Sequence, residues 1–248
     1  MIPDELTPPL ALDVDDALAL LAGGELSIEG RLVDASNATF YCGVCADGLQ
    51  AGCVYKPVAG ERALWDFPDG TLAERELAAY QVSAATGWRI VPPTVYRDGP
   101  LGPGMVQLWI AEDESVDVAL LLRRGDNSAL RRIAVLDAVI NNADRKGGHL
   151  LPITGGHIHG VDHGVSFHVE DKLRTVLWQW AGKPLPPDCH EVLARLRTDL
   201  DGQLGEALQQ LLTAREVRRT RRRVDSLLAA GQHPRPSGDW PPIPWPPF

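Results

Sequence analysis

An apolar helix that leads directly into a run of charged and polar residues constrains this chain more than any other feature. Residues 129–143, ALRRIAVLDAVINNA, carry apolar side chains on most faces, which predicts a largely buried helix. Residues 141–168 follow the helix and contain two aspartates and five histidines. Within them, a short predicted strand, HIHGVD, leads to the second aspartate. Asp144 and Asp162 both follow the ends of elements, so we expect their carboxylates to meet over one cleft.

Length and composition are typical of a folded protein. The chain has 248 residues, of which 44% are hydrophobic and 23% charged, so it can bury a sizeable core and is not disordered throughout. The net charge of -9 argues against a general nucleic-acid binder, which normally has a basic surface. No apolar run approaches the roughly 20 residues that span a bilayer, and the first residues lack the basic start of a secretory signal. We therefore expect a cytoplasmic protein with no nucleic-acid partner and no integral membrane association.

A change of pattern divides the chain into a β-rich first part and a helical second part. After an amphipathic helix at residues 12–22, two runs predict a hairpin, SIEGRLVDASNATFYCGV and GCVYKPV. A helix at residues 71–87, with Thr71 and Glu74 at capping-box spacing, precedes two extended runs, IVPPTVYR and GMVQLWIAE. The predicted divisions are an N-terminal helical extension, an N-lobe, a C-lobe and a Pro/Trp-rich tail, at residues 1–29, 30–112, 113–235 and 236–248.

Three of the four cysteines lie in the predicted hairpin, and their spacing favours packing over metal binding. Cys42 and Cys45 are three positions apart, so on a strand they point to opposite faces. A zinc site there would need a second Cys or His pair, which the sequence does not place beside them. Four cysteines in a chain of this length also do not form a disulfide framework.

Two short motifs resemble the catalytic loops of the protein-kinase-like superfamily. Lys146 lies two positions after Asp144 and His149 five positions after it, and DHG at residues 162–164 stands where the superfamily has Asp-Phe-Gly. The form without His-Arg-Asp and Ala-Pro-Glu resembles most the phosphatidylinositol 3- and 4-kinase branch, as a small bacterial (actinobacterial) member. The resemblance spans roughly residues 30–167. It implies an α+β, two-lobed protein-kinase-like fold, with a small antiparallel β-sheet and one helix in the N-lobe and a mainly helical C-lobe.

The resemblance implies a role for each charged residue in phosphoryl transfer. Asp144 would orient the acceptor hydroxyl and take its proton, and Lys146 would face the transferring phosphate. Asp162 would bind a divalent metal ion, because hard ions prefer carboxylate oxygen. Lys56, on the second hairpin strand, would contact the α- and β-phosphates, with Glu76 as its partner on the following helix.

Glu76 is preferred to Glu74 as the partner of the strand lysine. Glu74 has the capping role, whereas Glu76 shares a helix face with apolar or small residues, which points it inward. That face carries Leu72, Ala79, Tyr80 and Ser83.

The resemblance also implies where ATP binds. Adenine is expected at the backbone of the segment after the last strand of the small sheet, which comprises Gln107, Leu108, Trp109 and Ile110. The glycine-rich loop of the family is missing, and DASNATF stands in its place. Three polar residues of this segment could donate hydrogen bonds to phosphate oxygens, namely Ser36, Asn37 and Thr39.

His149 stands where the family has a metal-binding asparagine. Imidazole nitrogen is a softer ligand than a carbonyl oxygen and suits transition metals better than magnesium. We therefore expect ATP with Mn2+ or Mg2+ as cofactors, Asp162 and His149 as metal ligands, and manganese accepted at least as well as magnesium. The alternative is a packed or hydrogen-bonded histidine. A zinc cluster built from the other histidines of the stretch would leave the two lysines unexplained; those histidines are His157, His159, His163 and His168.

Two classes of function follow. The leading class is an ATP-dependent phosphotransferase whose favoured acceptor is a protein Ser or Thr, including its own, because no membrane-binding amphipathic helix is evident. A lipid or small-metabolite kinase is the enzymatic alternative. The competing class is a nucleotide-binding pseudokinase or regulatory module, in which His149 and the glycine-poor loop mark lost chemistry. Apart from these two classes, each residue assignment has its own alternative: Asp144 and Asp162 as turn aspartates that cap loops, and Lys56 as an exposed lysine at a strand end.

Two features lie near the end of the chain. The arginine run REVRRTRRR, at residues 215–223, is a solvated helix face or, because like charges on one helix repel, a surface for an anionic partner or a homodimer mate. The tail WPPIPWPPF is a disordered segment, a polyproline segment bound by a partner, or a strap that buries its two tryptophans on the domain. The strap is favoured, because exposed tryptophan and phenylalanine side chains are costly.

Overall fold

Five antiparallel strands form the first structural unit, which comprises the described residues as far as Ala73 together with Pro93–Trp109. The computed structural model describes residues 12–32 and 37–248. The strands lie in the order β1-β2-β3-β5-β4, and every neighbouring pair is antiparallel. The predicted small antiparallel sheet is confirmed; its strands are β1 (Glu25–Arg31), β2 (Phe40–Ala46), β3 (Leu49–Pro57), β4 (Thr94–Gly99) and β5 (Gly102–Leu108).

The hairpin of β2 and β3 turns on a two-residue loop. Asp47 and Gly48 both have positive φ, 50° and 80°, as the tight turns of two-residue hairpins require. The turn sets a register in which Cys42 lies opposite Cys53, and both side chains pack in the core of the sheet. Cys42 is buried and Cys45 is exposed, so the two cysteines point to opposite faces as the strand period predicted.

Helix α1 (Val14–Gly23) packs against the sheet. Its first turn is capped by the Asp13 carboxylate, which accepts the N–H of Asp16 at 2.8 Å. Leu20 and Leu21 are buried in the same core as side chains of β2, β3 and β5. Burial of one such leucine contributes about 2 kcal/mol, so the predicted amphipathic helix is confirmed as a stable part of this unit.

The second unit, Glu74–Pro92 and Ile110–Phe248, is mainly helical, as predicted. It takes most of α2 (Leu72–Thr86), so neither unit is continuous in sequence. No helix in the described part of the chain combines enough length with enough apolar character to cross a bilayer. Its further helices and its short hairpin are α3 (Val118–Arg124), α4 (Ser128–Ile140), α5 (Pro187–Asp199), α6 (Gln203–Leu208), α7 (Ala214–Ala230), β6 (Leu150–Pro152) and β7 (Ile158–Gly160).

The first turn of α2 is capped from a distance. The Glu61 carboxylate accepts the N–H groups of Leu72 and Ala73 at 3.0 and 2.8 Å. A carboxylate at this position satisfies two orphan donors and complements the positive end of the helix dipole. The Thr71 hydroxyl instead donates to Pro68 O at 2.9 Å. The cap therefore includes a residue that the capping-box spacing did not indicate.

Helix α4 is the buried helix that the apolar pattern predicted. Asn127 caps it by accepting the N–H of Leu130 at 3.0 Å. It ends at Asn141, whose left-handed backbone, with φ 54°, stops the helix. Asp137 is a charged residue in the middle of this apolar helix, and it is completely buried. A buried carboxylate needs partners, and these lie in the candidate site.

Helix α7 carries the arginine run, and carboxylates of the same chain neutralise part of its positive charge. Thr213 and Glu216 form a capping box at its start. Arg219 and Arg223 both donate to the Asp171 carboxylate, at 3.2 and 3.1 Å. This pairing relieves some of the repulsion among the arginines. A homodimer through this helix stays a prediction.

Residues 240–248, the proline-rich strap, lie against other parts of the second unit, to which they belong. Pro242 O accepts hydrogen bonds from Thr175 N at 3.0 Å and from Trp178 Nε1 at 2.7 Å. The preference for a strap over a disordered tail is therefore confirmed. The expectation that the strap buries both of its tryptophans is wrong, because Trp245 is 86% exposed.

His233 makes the stability of the second unit depend on pH. It is buried, Arg131 Nε donates to its Nε2 at 3.1 Å, and burial together with this cation lowers the pKa of His233 to about 4. Between that pKa and the ordinary value of 6.5, the unfolded chain binds more protons than the folded one. The free energy of unfolding therefore falls as the pH drops through this window, by up to about 3 kcal/mol from this residue.

His233→Gln, which keeps an acceptor for Arg131 but does not titrate, should lower the slope of unfolding free energy against pH between pH 6.5 and 4. Urea denaturation at four pH values across the window measures the slope. The same slope in both proteins would contradict this origin of the pH dependence.

Candidate active site

The loop after α4 presents Asp144. Asn142 holds this loop, since its Nδ2 donates to Asp137 Oδ1 and its Oδ1 accepts the N–H of Asp144, both at 3.0 Å. The Asp144 side chain is 31% exposed, and its Oδ2 lies 3.2 Å from Lys146 Nζ. The structure thus brings together the two residues predicted for proton and phosphate chemistry, at a position that a substrate can reach.

Arg145, between these two residues in sequence, is completely buried. Its guanidinium pairs with Asp137 at 2.9 Å and donates to Val161 O at 2.8 Å. A third contact joins Arg145 Nη2 to His163 Nε2 at 2.6 Å. A planar guanidinium with five donors can serve three partners at once. The Arg145 side chain, from the loop after α4, therefore holds the loop after β7, which carries Asp162.

Asp162 follows β7 with a left-handed backbone, φ 59°. This conformation is uncommon outside glycine and is tolerated by aspartate. The Asp162 side chain stays 44% exposed, and its Oδ2 lies 3.3 Å from His149 Nε2. The next residue, His163, is buried, and its N–H donates to Glu76 Oε2 at 2.8 Å. Glu76 thus lies on the buried face of α2.

His149 is engaged on both ring nitrogens. Its Nδ1 accepts the N–H of Lys146 at 3.4 Å, and its Nε2 faces the Asp162 carboxylate. Burial lowers the pKa of His149, and the Asp162 carboxylate offsets only part of that effect. The ring is therefore neutral at pH 7. Because Nδ1 is an acceptor, the hydrogen-bond network assigns the proton to Nε2, where it points at Asp162.

Asp162 and His149 supply two converging donors for a metal ion. Within residues 12–32 and 37–248, no group of three or more His, Cys, Asp or Glu side chains could enclose one. Two protein donors suit a divalent ion that arrives with nucleotide phosphates and keeps water ligands. His149 can bind a metal ion through Nε2 only if the ring proton moves to Nδ1. Nδ1 would then lose its contact with the Lys146 N–H, which at 3.4 Å is long and therefore weak. The donor set fits a nucleotide-borne ion.

The neighbouring histidines do not join this pair. His157 Nε2 lies 2.9 Å from Arg89 O, and His159 Nδ1 lies 3.2 Å from Ile90 O. The two rings meet edge to face, with centroids 4.5 Å apart. Their ring nitrogens face backbone carbonyls, which do not form a zinc cluster.

Lys56 and the loop predicted to bind phosphate belong to the first unit. Lys56 is half-buried on β3. Ser36 lies outside the described residues. Asn37 Oδ1 accepts the N–H of Arg62 at 2.8 Å, and the buried Thr39 hydroxyl donates to Asn37 O at 3.3 Å. Asn37 thus joins the loop to the segment at Arg62, and Thr39 bonds within the loop. Phosphate binding by this loop stays a prediction.

The predicted adenine segment lies at the end of β5. The Gln107 side chain donates to Thr94 Oγ1 at 2.9 Å. The N–H groups of Leu108 and Trp109 donate to backbone carbonyls of their own unit, both at 2.9 Å. A purine cannot use these two N–H groups while the strand keeps those bonds. Ile110 begins the second part of the other unit.

Sequence reasoning missed the residues that hold the site. Asp137, Asn142 and Arg145 make no contact with a substrate in the predicted scheme, so spacing rules for catalytic motifs do not find them. One signal was available: Asp137 interrupts an otherwise apolar helix, and a charge in such a position needs a buried partner. The adjacent loop offers Arg145 as that partner.

Two solved structures share this fold. One is a Golgi casein kinase, with a TM-score of 0.55 and 14% identity, over 88% of this chain and 75% of that one. The other is the Helicobacter pylori proinflammatory kinase CtkA, with a TM-score of 0.50 and 11% identity, over 83% of this chain and 92% of that one. At such identities the likeness establishes the fold alone. The chain therefore has a protein-kinase-like fold, as the two motifs implied.

A relative of known sequence places the chain more narrowly. No family model matches it. Protein Rv2133c of Mycobacterium tuberculosis is 47% identical over 268 residues, which cover 94% of this chain and 96% of that protein. The chain belongs to the family of that mycobacterial protein.

Asp137→Asn should strongly destabilise the protein. The substitution leaves the Arg145 cation buried without its counter-charge, and breaking a fully buried pair costs about 3–5 kcal/mol. The free energy of unfolding, from urea denaturation, should fall by that amount. The matched control is Asp188→Asn, which breaks a pair with Arg132 whose side chains are 43% and 47% exposed. The control should lose less than about 1 kcal/mol; equal losses would contradict a structural role for the buried pair.

Proposed function

We propose that the protein is an ATP-dependent phosphotransferase that uses a divalent metal ion. The observation that carries the proposal is the pair of accessible carboxylates, Asp144 and Asp162, on loops joined through the buried Arg145. Phosphoryl transfer depends on positioning and on neutralising phosphate charge, which this arrangement can supply. Both structural neighbours are kinases, which supports the same class.

The proposed chemistry assigns one task to each side chain. Asp144 takes the proton of the acceptor hydroxyl while the hydroxyl oxygen attacks the γ-phosphorus. The bond from that phosphorus to the β,γ-bridging oxygen breaks, and ADP leaves with the electron pair. Lys146 neutralises the transferring phosphate from its position 3.2 Å from Asp144. Asp162 and His149 would hold the divalent ion, which when bound neutralises the triphosphate.

The favoured acceptor is a protein Ser or Thr, on another protein or on this chain. One structural neighbour is a casein kinase, so the substrate in its name is a protein. The loop motifs resemble those of the phosphatidylinositol-kinase-like type, and a lipid or small-metabolite acceptor is the enzymatic alternative. The assignments of Lys56 to the α- and β-phosphates and of Glu76 as its partner stay predictions.

One observation favours a second candidate, a nucleotide-binding pseudokinase or regulatory module. His149 Nε2 lies 3.3 Å from Asp162 Oδ2, so the imidazole competes with a metal ion for the carboxylate that should bind it. If that contact is stronger than metal ligation, nucleotide binds without transfer. Metal-dependent turnover separates the two candidates.

Transfer of the γ-phosphate from labelled ATP tests the proposal. Wild-type protein with Mg2+ or Mn2+ should label itself or dephosphorylated casein. Asp144→Asn, which removes the base, should lower the rate by about 100-fold or more while ATP still binds. Asp162→Asn should lose metal-dependent transfer, and Asp188→Asn, on an exposed residue, should behave as wild type. No transfer by the wild type despite ATP binding would favour the pseudokinase or a different acceptor class.

The metal preference tests His149. A nitrogen ligand favours manganese, so the wild-type rate with Mn2+ should equal or exceed the rate with Mg2+. His149→Asn restores the oxygen donor of the resembled family and should shift the ratio of the two rates several-fold toward Mg2+. Parallel assays over a range of metal concentrations measure this ratio. A wild type active only with magnesium, or a ratio unchanged in the variant, would contradict metal ligation by His149.

A further inference from the structure

The proline-rich strap is anchored beside the loop that carries Asp144. Pro242 O accepts the N–H of Thr175 at 3.0 Å. Thr175 is itself bridged to Arg145, with Arg145 N donating to Arg174 O at 3.1 Å. Three segments of the chain therefore lie side by side at this point: the Asp144 loop, the segment around Thr175, and the strap.

The other end of the strap reaches the Asp144 loop directly. Pro247 O accepts the N–H of Gly147 at 2.8 Å, and Gly147 lies three residues after Asp144. The Phe248 ring packs so closely over Gly147 that a Cβ there would overlap it. Both ends of the strap thus hold it against the surface next to the proposed base.

The surface under the strap has the chemistry of a proline-binding groove. Five of the nine strap residues are prolines, which have carbonyl acceptors but no N–H donors. The groove supplies donors, and an indole N–H facing a carbonyl beside a proline-rich segment is a general means of binding such chains. The donor contacts are Arg174 Nε to Pro241 O at 3.1 Å, Thr175 N to Pro242 O at 3.0 Å and Trp178 Nε1 to Pro242 O at 2.7 Å.

Most apolar side chains of the strap are exposed; the Trp240 ring is partly buried, with Lys172 Nζ 4.5 Å from its centroid. Trp245 is 86% exposed, Phe248 58% and Ile243 47%. Pro244 is buried. Because hydrophobic burial is the main stabilising contribution in most contacts, a segment held mostly through carbonyl hydrogen bonds can be displaced by another chain that offers the same acceptors.

We propose that the strap is an internal competitor of a polypeptide acceptor. It occupies the surface along which an extended, proline-containing segment of a substrate protein reaches Asp144. The strap therefore restrains transfer to proteins and leaves nucleotide binding unchanged. This inference rests on the proposed phosphotransferase function and names its substrate class.

The double variant Pro244→Gly/Phe248→Ala should release the strap. It alters the buried proline of the strap and removes the contact of the Phe248 ring with Gly147. Trp245→Ala is the matched control, because that side chain is exposed. Hydrogen exchange should show faster exchange of the Gly147 and Thr175 amides in the double variant only. Unchanged exchange would show that these contacts do not hold the strap and would overturn the proposal.

Phosphate transfer to dephosphorylated casein then tests the competition. The double variant should transfer at least fivefold faster than wild type and the control, with an ATP Kd within twofold of wild type. The free peptide WPPIPWPPF should return the rate of the variant toward that of wild type. An unchanged or lower rate after release, or no inhibition by the peptide, would overturn the proposal. Absence of transfer by wild type and variant alike, with either metal, is a different result and would mean that the proposed function itself has failed.

Discussion

The buried ion pair between Arg145 and Asp137 is the contact on which the rest of the site depends. Burying two charges carries a large desolvation penalty. The buried ion pair is stable because the N–H groups of the guanidinium have acceptors. Those acceptors are the Asp137 carboxylate on α4, Val161 O just before Asp162 and the His163 ring just after it. Because Arg145 itself follows Asp144 in sequence, its contacts join the Asp144 loop to α4 and to both sides of Asp162.

The extended backbone of residues 144–146 lets neighbouring side chains point in opposite directions. Lys146 has an extended backbone, with φ -100° and ψ 165°, and side chains along an extended chain alternate in direction. Asp144 and Lys146 consequently point together toward solvent, while Arg145 between them points into the core. A short segment of this kind can present a base and a cation to a substrate and be anchored by the residue in the middle. Rigid support of this sort is what positioning in phosphoryl transfer requires.

The parts of the fold that follow from local patterning were predictable from sequence. The apolar period of α4 and the turn at Asp47 and Gly48 depend on residues close together in the chain, so composition and spacing are enough to predict them. The capping of α2 by Glu61 was not predictable in this way, because it joins residues 11 or more positions apart.

The candidate site was predictable to a similar extent. Motif spacing found Asp144, Lys146 and Asp162, because a resemblance in sequence preserves the order of such residues. It did not find Arg145, whose partners are 8 and 18 positions away. Nor could it give the hydrogen-bonded state of His149, which depends on burial and on the direction of the Lys146 N–H. The exposure of Trp245 was missed because the strap is held by its carbonyls.

Arg145 should position the proposed metal ligands Asp162 and His149 from inside the protein. Mn2+ titration followed by electron paramagnetic resonance, with and without ATP, measures the affinity of the ion in wild type and in Arg145→Lys. Lysine keeps the charge opposite Asp137 but cannot reach Asp137, Val161 O and His163 together. The wild type should bind Mn2+ only when ATP is present, and a folded Arg145→Lys variant that still has Asp162 and His149 should bind it at least tenfold more weakly. Equal Mn2+ affinity in the two proteins would show that Arg145 does not position these ligands.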